Sequence, residues 1–209
     1  MSDGGRSRAP DGAARRALAV CVFCASGPVP EPYVALAGEV GAAIAARGWS
    51  LVSGGGRVSM MGAVARAARE GGARTVGVIP EALVAQEVAD DAADELVVVG
   101  DMRTRKGEMD ARSDAVLALA GGLGTLEELF EAWTSRSLRM HDKPVVVLDP
   151  DGFYDPLFAW LDGLRGPGFV SERGMAGVVR ATTVAAALDA LVSPTAQVTD
   201  QQGAVVDQQ

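Results

Sequence analysis

The chain is short of the groups on which several kinds of protein depend. It has one histidine and two cysteines, and aromatics make up only 5% of its 209 residues. The single histidine, His141, sits just before Lys143-Pro144 with no ligand set around it, so metal hydrolysis lacks a donor cluster and no metal is expected. No basic stripe offsets a formal net charge of -8, which argues against a nucleic-acid partner. No apolar run approaches a membrane span, and residues 1–16 hold glycine, arginine and aspartate in place of an apolar signal core. The expected setting is cytoplasmic, with no membrane partner. Two motifs are also missing. There is no G-x-x-x-x-G-K-[ST], which excludes a P-loop NTPase, and Ala25-Ser26-Gly27-Pro28 follows the first apolar run where a dinucleotide fingerprint would stand. The two cysteines, Cys21 and Cys24, have the spacing of a redox pair or half a zinc site. They lie in Leu18-Ala-Val-Cys-Val-Phe-Cys24, which reads as a buried strand whose residues three apart face opposite sides, so both are expected to be small core groups.

What is present has the make-up of one domain with a real core, 48% hydrophobic and 22% charged. Apolar runs at 18–23, 49–52, 75–79, 96–99, 115–119 and 145–148 alternate with segments of helical period. In the first such segment Tyr33, Leu36, Ala37, Val40 and Ile44 share a face and Gly48 closes it. The alternation predicts an α/β fold: a doubly wound, Rossmann-like parallel sheet of six to seven strands with helices on both faces. Residues 17–192 form the predicted nucleotide-binding domain, and 1–16 and 193–209 read as flexible tails. Toward the end, Phe153 to Leu161 reads as a short helix with more aromatics than one narrow stripe can use, some of which could face a partner. Val178-Val179 supplies a seventh strand and Thr183 to Leu191 a last helix.

The chemistry gathers at two glycine turns. The run Ala115 to Leu119 empties into Gly121-Gly122-Leu123-Gly124-Thr125, after which Leu126, Leu129, Phe130 and Trp133 recur at helical spacing. Ser53-Gly54-Gly55-Gly56-Arg57 repeats the arrangement upstream, ahead of a helical segment from Met60 to Glu70. Glycines let the backbone approach a ligand, and the first amides of a helix have no internal partners, so such turns suit a phosphate. Two of them at the carboxyl ends of neighbouring strands imply one shared cleft.

Two side chains near these turns admit a functional and a plain reading. On a helix through Asp101 to Arg112, Arg105 falls between Met102 and Met109, apart from Arg103 and Lys106. A guanidinium held there could grip a phosphate or ribose; equally, it could snorkel past the methionines to a structural partner. Thr125-x-x-Glu128 matches a capping box, which implies no chemistry. Against that, the apolar stripe of the helix points away from Glu128 and leaves its carboxylate beside the turn. Glu127 and Glu131 share that polar side and read as solvated or as oligomer contacts.

Ser53-Gly-Gly-Gly-Arg-Val-Ser-Met-Met-Gly62, Gly77-Val-Ile-Pro80, Asp101-Met-Arg-Thr-Arg-Lys106, Gly121-Gly-Leu-Gly-Thr-Leu-Glu-Glu128 and His141-Asp-Lys-Pro144 together resemble the LOG ("lonely guy") family, from about Val20 to Leu191. Its members are cytokinin-activating phosphoribohydrolases, often mislabelled lysine decarboxylases. The resemblance implies hydrolysis of the N-glycosidic bond of a cytokinin riboside 5′-monophosphate, without cofactor, by a homodimer whose partner otherwise is the small nucleotide substrate. It implies Arg105 and Glu128 as the catalytic pair. Ser26, Gly55, Gly56, Met102, Lys106, Gly121, Gly122, Gly124 and Thr125 are the substrate-binding positions it implies. Glycosidic cleavage builds positive charge on the sugar, which a nearby carboxylate stabilises.

The sequence departs from the family pattern at Ala120, Leu123, Arg103 and Leu138-Arg-Met-His141, in place of a proline, a common aromatic, a frequent histidine and a common L-G-I-H. None of these removes the pair. The alternatives are a general AMP nucleosidase and a non-catalytic carrier of a phosphorylated cofactor, which would need the glycine turns but not the carboxylate. Nothing in the sequence marks a pyridoxal phosphate site.

Overall fold

Continuous apolar runs with β-branched residues make strands that are buried on both faces, as a parallel sheet requires. The computed structural model describes residues 17–84 and 88–193. It contains β1 (Ala19–Phe23), β2 (Ser50–Ser53), β3 (Thr75–Pro80), β4 (Glu95–Val99), β5 (Ala115–Ala118), β6 (Val145–Leu148) and β7 (Val179–Ala181). All are joined in parallel in the order β4-β3-β2-β1-β5-β6-β7. The predicted strands are all found. Residues 1–16 and 194–209, expected as tails, lie outside the described residues.

The helices divide between the two faces. On one, Ala37, Val40 and Ile44 of α1 (Glu31–Ala46), Met60 and Val64 of α2 (Ser59–Glu70) and Leu188 of a last helix (Val184–Ala190) cover Val20, Val22, Leu51 and Val146. On the other, α3 (Met102–Ala111), α4 (Leu123–Ser137) and α5 (Asp155–Gly163) bring Met109, Leu129, Trp133 and Phe158 onto Cys21, Val52, Val116 and Val147. A short α6 (Glu172–Ala176) precedes β7, and the last helix is α7. Each fully buried Val or Leu contributes about 1.5–3 kcal/mol relative to exposure. Cys21 and Cys24 face opposite sides of β1, both free and buried, as their strand position requires. Burial raises both thiols above their ordinary range.

Three details differ from the sequence reading. Helix α4 begins at Leu123 with Gly122 as its N-cap, so Thr125 is already inside it and the Thr125–Glu128 capping box does not form. Helix α5 starts at Asp155, leaving Phe153 and Tyr154 in the preceding turn. The five-residue α6 and a single helical turn at Glu81–Leu83 are too short to leave a periodic signal.

The strand order reverses once. From β1 the chain runs outward through β2, β3 and β4, then returns to place β5 on the other side of β1. The carboxyl ends of β1 and β5 therefore diverge into loops on opposite sides, which is where open α/β sheets hold ligands.

Candidate active site

A cleft of about 410 Å³ opens at this reversal. Its walls are the loop after β1 (Ser26 to Val29), Gly54 after β2, the α3 residues Met102, Arg105 and Met109, and the start of α4 from Gly122 to Glu128. The first intrahelical bond of α4 runs from the Leu126 N–H to the Gly122 carbonyl at 2.9 Å. The amides of Gly122, Leu123, Gly124 and Thr125 therefore have no acceptor in their own helix and give its positive end to the cleft.

Of the residues implied by the resemblance, Ser26, Met102, Arg105, Gly122, Gly124, Thr125 and Glu128 line this cleft together. Gly55, Gly56, Lys106 and Gly121 are placed elsewhere. Gly55 takes φ +77° and packs so closely on β3 that an added Cβ would lie 3.1 Å from the Val78 nitrogen. Its carbonyl accepts from Asp90 N–H at 2.8 Å, and Gly56 forms an isolated bridge with Ala89. These two glycines let the first turn lie against the sheet; Gly54 is the one that meets the cleft.

Arg105 is only 5% exposed, and two of its donors are engaged inside the protein. Nη2 donates to the Gly54 carbonyl at 2.8 Å and Nε to the Val78 carbonyl at 3.0 Å, while Nη1 lies 3.7 Å from the Met102 sulfur. The arginine thus holds the first glycine turn against β3 and still faces the cleft. The structural partners that the plain reading expected are the Gly54 and Val78 carbonyls. The N-terminus of α3 is fixed by Asp101, whose carboxylate accepts from the Arg103 and Thr104 amides at 2.8 and 2.9 Å. Those bonds, led by the Thr104 amide, hold the Asp101 carboxyl below its usual range.

Lys106 is turned away from the cleft. It forms ion pairs with Glu127 and Glu131, clasping α3 to α4, and those bonds raise its ammonium above its ordinary value. Glu127 and Glu131, which read as solvated or as oligomer contacts, are its partners. Beneath this clasp a second chamber of about 250 Å³ runs between α3 and α4 over Cys21 and Phe23, ending at His141. Glu128 lines both spaces. Burial lowers the His141 pKa, and its Nδ1 is buried without a hydrogen-bond partner. Burial dominates at Cys21 as well, with the Glu128 and Asp110 carboxylates raising its pKa further and Lys143 and Arg105 opposing them. No group of three or more His, Cys, Asp or Glu among the described residues could hold a metal ion. No helix among them is long and apolar enough to cross a membrane.

Sequence reasoning missed the residue behind the second turn. Tyr154 is buried, and its hydroxyl donates to the Leu119 carbonyl at 2.8 Å. Gly121 follows this anchored carbonyl by two residues and packs against the Thr125 side chain. The only advance signal was an aromatic in excess of the α5 stripe.

Residues 61–191 match a family model described as possible lysine decarboxylase. A cytokinin riboside 5'-monophosphate phosphoribohydrolase of Mycobacterium tuberculosis is 55% identical over 171 residues, 82% of this chain and 91% of that protein. The protein of that name, LOG, from Oryza sativa subsp. japonica is 41% identical over 165 residues, 78% of this chain and 68% of that one. Among solved structures, the molybdenum cofactor binding protein from Rippkaea orientalis superimposes with a TM-score of 0.64 at 25% identity, over 84% of this chain and 96% of that one. On the strength of the family match and of relatives that span most of its length, the chain belongs to the LOG family of cytokinin riboside 5'-monophosphate phosphoribohydrolases.

Proposed function

We propose that this protein hydrolyses the N-glycosidic bond of cytokinin riboside 5′-monophosphates, releasing the free base and ribose 5-phosphate. The observation that carries the reading is that Glu128 and Arg105 line one cleft with the unpaired amides at the start of α4. The 5′-phosphate sits on the amides of Gly122 to Thr125, where partial positive charge and free donors coincide. Glu128, one turn further along α4, then lies beside the sugar. As the C1′–N9 bond breaks, its electron pair leaves with the base and C1′ becomes cationic; the carboxylate stabilises that charge and orients the water that adds to C1′. The base takes up a proton as it departs. Arg105 fixes the Gly54 wall beside the substrate and so keeps the cleft in register.

The name of the matching family model points elsewhere, to lysine decarboxylation. That chemistry needs a lysine to carry pyridoxal phosphate as a Schiff base. The sequence has two lysines. Lys106 is committed to Glu127 and Glu131 and Lys143 to Asp110, and neither lines the cleft. The likeness to molybdenum cofactor binding proteins supports a phosphorylated ligand, but a carrier makes no use of a carboxylate at Glu128.

The enzyme works in the cytoplasm as a homodimer in this reading, with the outer surface of α4 as the contact. Leu138 and Met140 beyond the helix are exposed apolar residues that a second copy would cover. Light scattering at micromolar concentration checks the dimer. The function is tested by chromatography of released base from isopentenyladenosine monophosphate, AMP and the unphosphorylated riboside. Release from the first alone supports the proposal. Equal release from AMP favours the general nucleosidase, and nucleotide binding without any release favours a carrier.

A further inference from the structure

The first glycine turn is anchored by Arg105, which belongs to the cleft. The second, which would carry the phosphate, is anchored from behind. Tyr154 Oη donates to the Leu119 carbonyl at 2.8 Å, so the phenol ties down the backbone at the head of Leu119-Ala-Gly121. On its other side the turn is pressed against Thr125: a Cβ on Gly121 would lie 2.1 Å from the Thr125 hydroxyl. Thr125 is buried, so it has no room to retreat.

Tyr154 is itself held. Its own N–H donates to Asp149 Oδ2 at 3.1 Å, and Arg180 donates to that same oxygen at 2.7 Å. Its ring meets Phe153 edge to face at 4.8 Å. A line of polar contacts therefore runs from β7 through the end of β6 to the backbone immediately before the α4 amides. Tyr154 does not line the cleft.

We propose that Tyr154 is a positioning residue for the phosphate-binding turn: its hydroxyl fixes the Leu119–Gly121 backbone, and so sets the direction of the Gly122, Gly124 and Thr125 amides toward the 5′-phosphate. This rests on the proposed function in taking the phosphate to sit at α4. Losing the phenol oxygen frees the Leu119 carbonyl, and with it the turn that follows, to move, and the cost falls on phosphate recognition.

The test is calorimetric titration of Tyr154→Phe and the parent protein with ribose 5-phosphate and, separately, with the free base. Binding is read without turnover, so a failure of the hydrolase reading shows in the chromatographic assay and not here. The expected result is a ribose 5-phosphate Kd about tenfold weaker, the scale of one lost hydrogen bond, with base affinity unchanged. In the hydrolysis assay KM for the monophosphate rises by the same factor while kcat changes less. Unchanged ribose 5-phosphate affinity in a folded variant overturns the proposal and leaves Tyr154 as core packing; so does an equal loss of affinity for base and sugar phosphate. Should Tyr154→Phe fail to fold, Arg180→Gln decides, since it loosens Asp149 without touching the phenol. Weaker ribose 5-phosphate binding, with base binding intact, supports the assignment, and unaltered sugar phosphate binding overturns it.

Discussion

The guanidinium of Arg105 donates to the carbonyl of Gly54, 51 residues upstream, at 2.8 Å. That bond, with the one to Val78, joins α3 to the ends of β2 and β3 and makes the arginine part of the wall it lines. Replacement therefore removes both a cleft group and a strut. Arg105→Ala is expected to abolish measurable turnover and to destabilise the fold by about 3 kcal/mol, the scale of buried hydrogen bonds to a charged group. Arg105→Lys recovers little, because an ammonium cannot span two carbonyls as a planar fork does. Arg103→Ala, at an exposed position of the same helix, leaves both properties nearly intact. Denaturant titration and the base-release assay check all three.

Glu128 lies inside α4, and the helix is capped at Gly122 without it. Glu128→Gln keeps the shape and removes the charge. The expected outcome is a kcat lower by about 100-fold or more, with nucleotide binding and Tm close to those of the parent. A variant that turns over normally but melts early would make the carboxylate structural.

Lys106 tests the boundary of the cleft. Its ion pairs with Glu127 and Glu131 are partly solvated, so Lys106→Ala costs less than about 1 kcal/mol, and that difference shrinks as salt is added. KM for the nucleotide stays within about threefold of the parent value, since the ammonium points away from the substrate. A large KM increase would return Lys106 to the substrate-binding set.

Arg139 closes α4 with φ +62°, a left-handed conformation that glycine adopts without strain. It is also a position at which the sequence departs from the family's usual L-G-I-H. Arg139→Gly is expected to stabilise the protein by about 0.5–1 kcal/mol, visible as a higher Tm, with kcat unaffected.

The inner strands and their order of appearance were legible because a doubly covered parallel strand must be an apolar run; β7, Val-Arg-Ala at the edge of the sheet, left only the short Val178-Val179 signal. The glycine turns were legible through their spacing, and Arg105 and Glu128, which line one cleft, through the resemblance to the family. Other features depend on partners distant in the chain. Lys106 meets Glu127 and Tyr154 meets Leu119 across 21 and 35 residues, and neither contact has a local signature. The capping-box reading put the N-cap of α4 at Thr125, three residues beyond the observed Gly122, because a glycine at 124 is a poor helix former and gives no sign that the helix has already begun. Gly55 and Gly56 pack against β3 and Ala89, contacts that the sequence does not announce, because glycine's freedom to approach a phosphate and its freedom to approach a strand look the same there.

Both struts, Arg105 and Tyr154, end on main-chain atoms. They read no side chain in the turns they hold, so Ala120 and the 88% exposed Leu123 can stand where relatives carry other residues without shifting either anchor. The reacting centre is thereby insulated from drift at its rim.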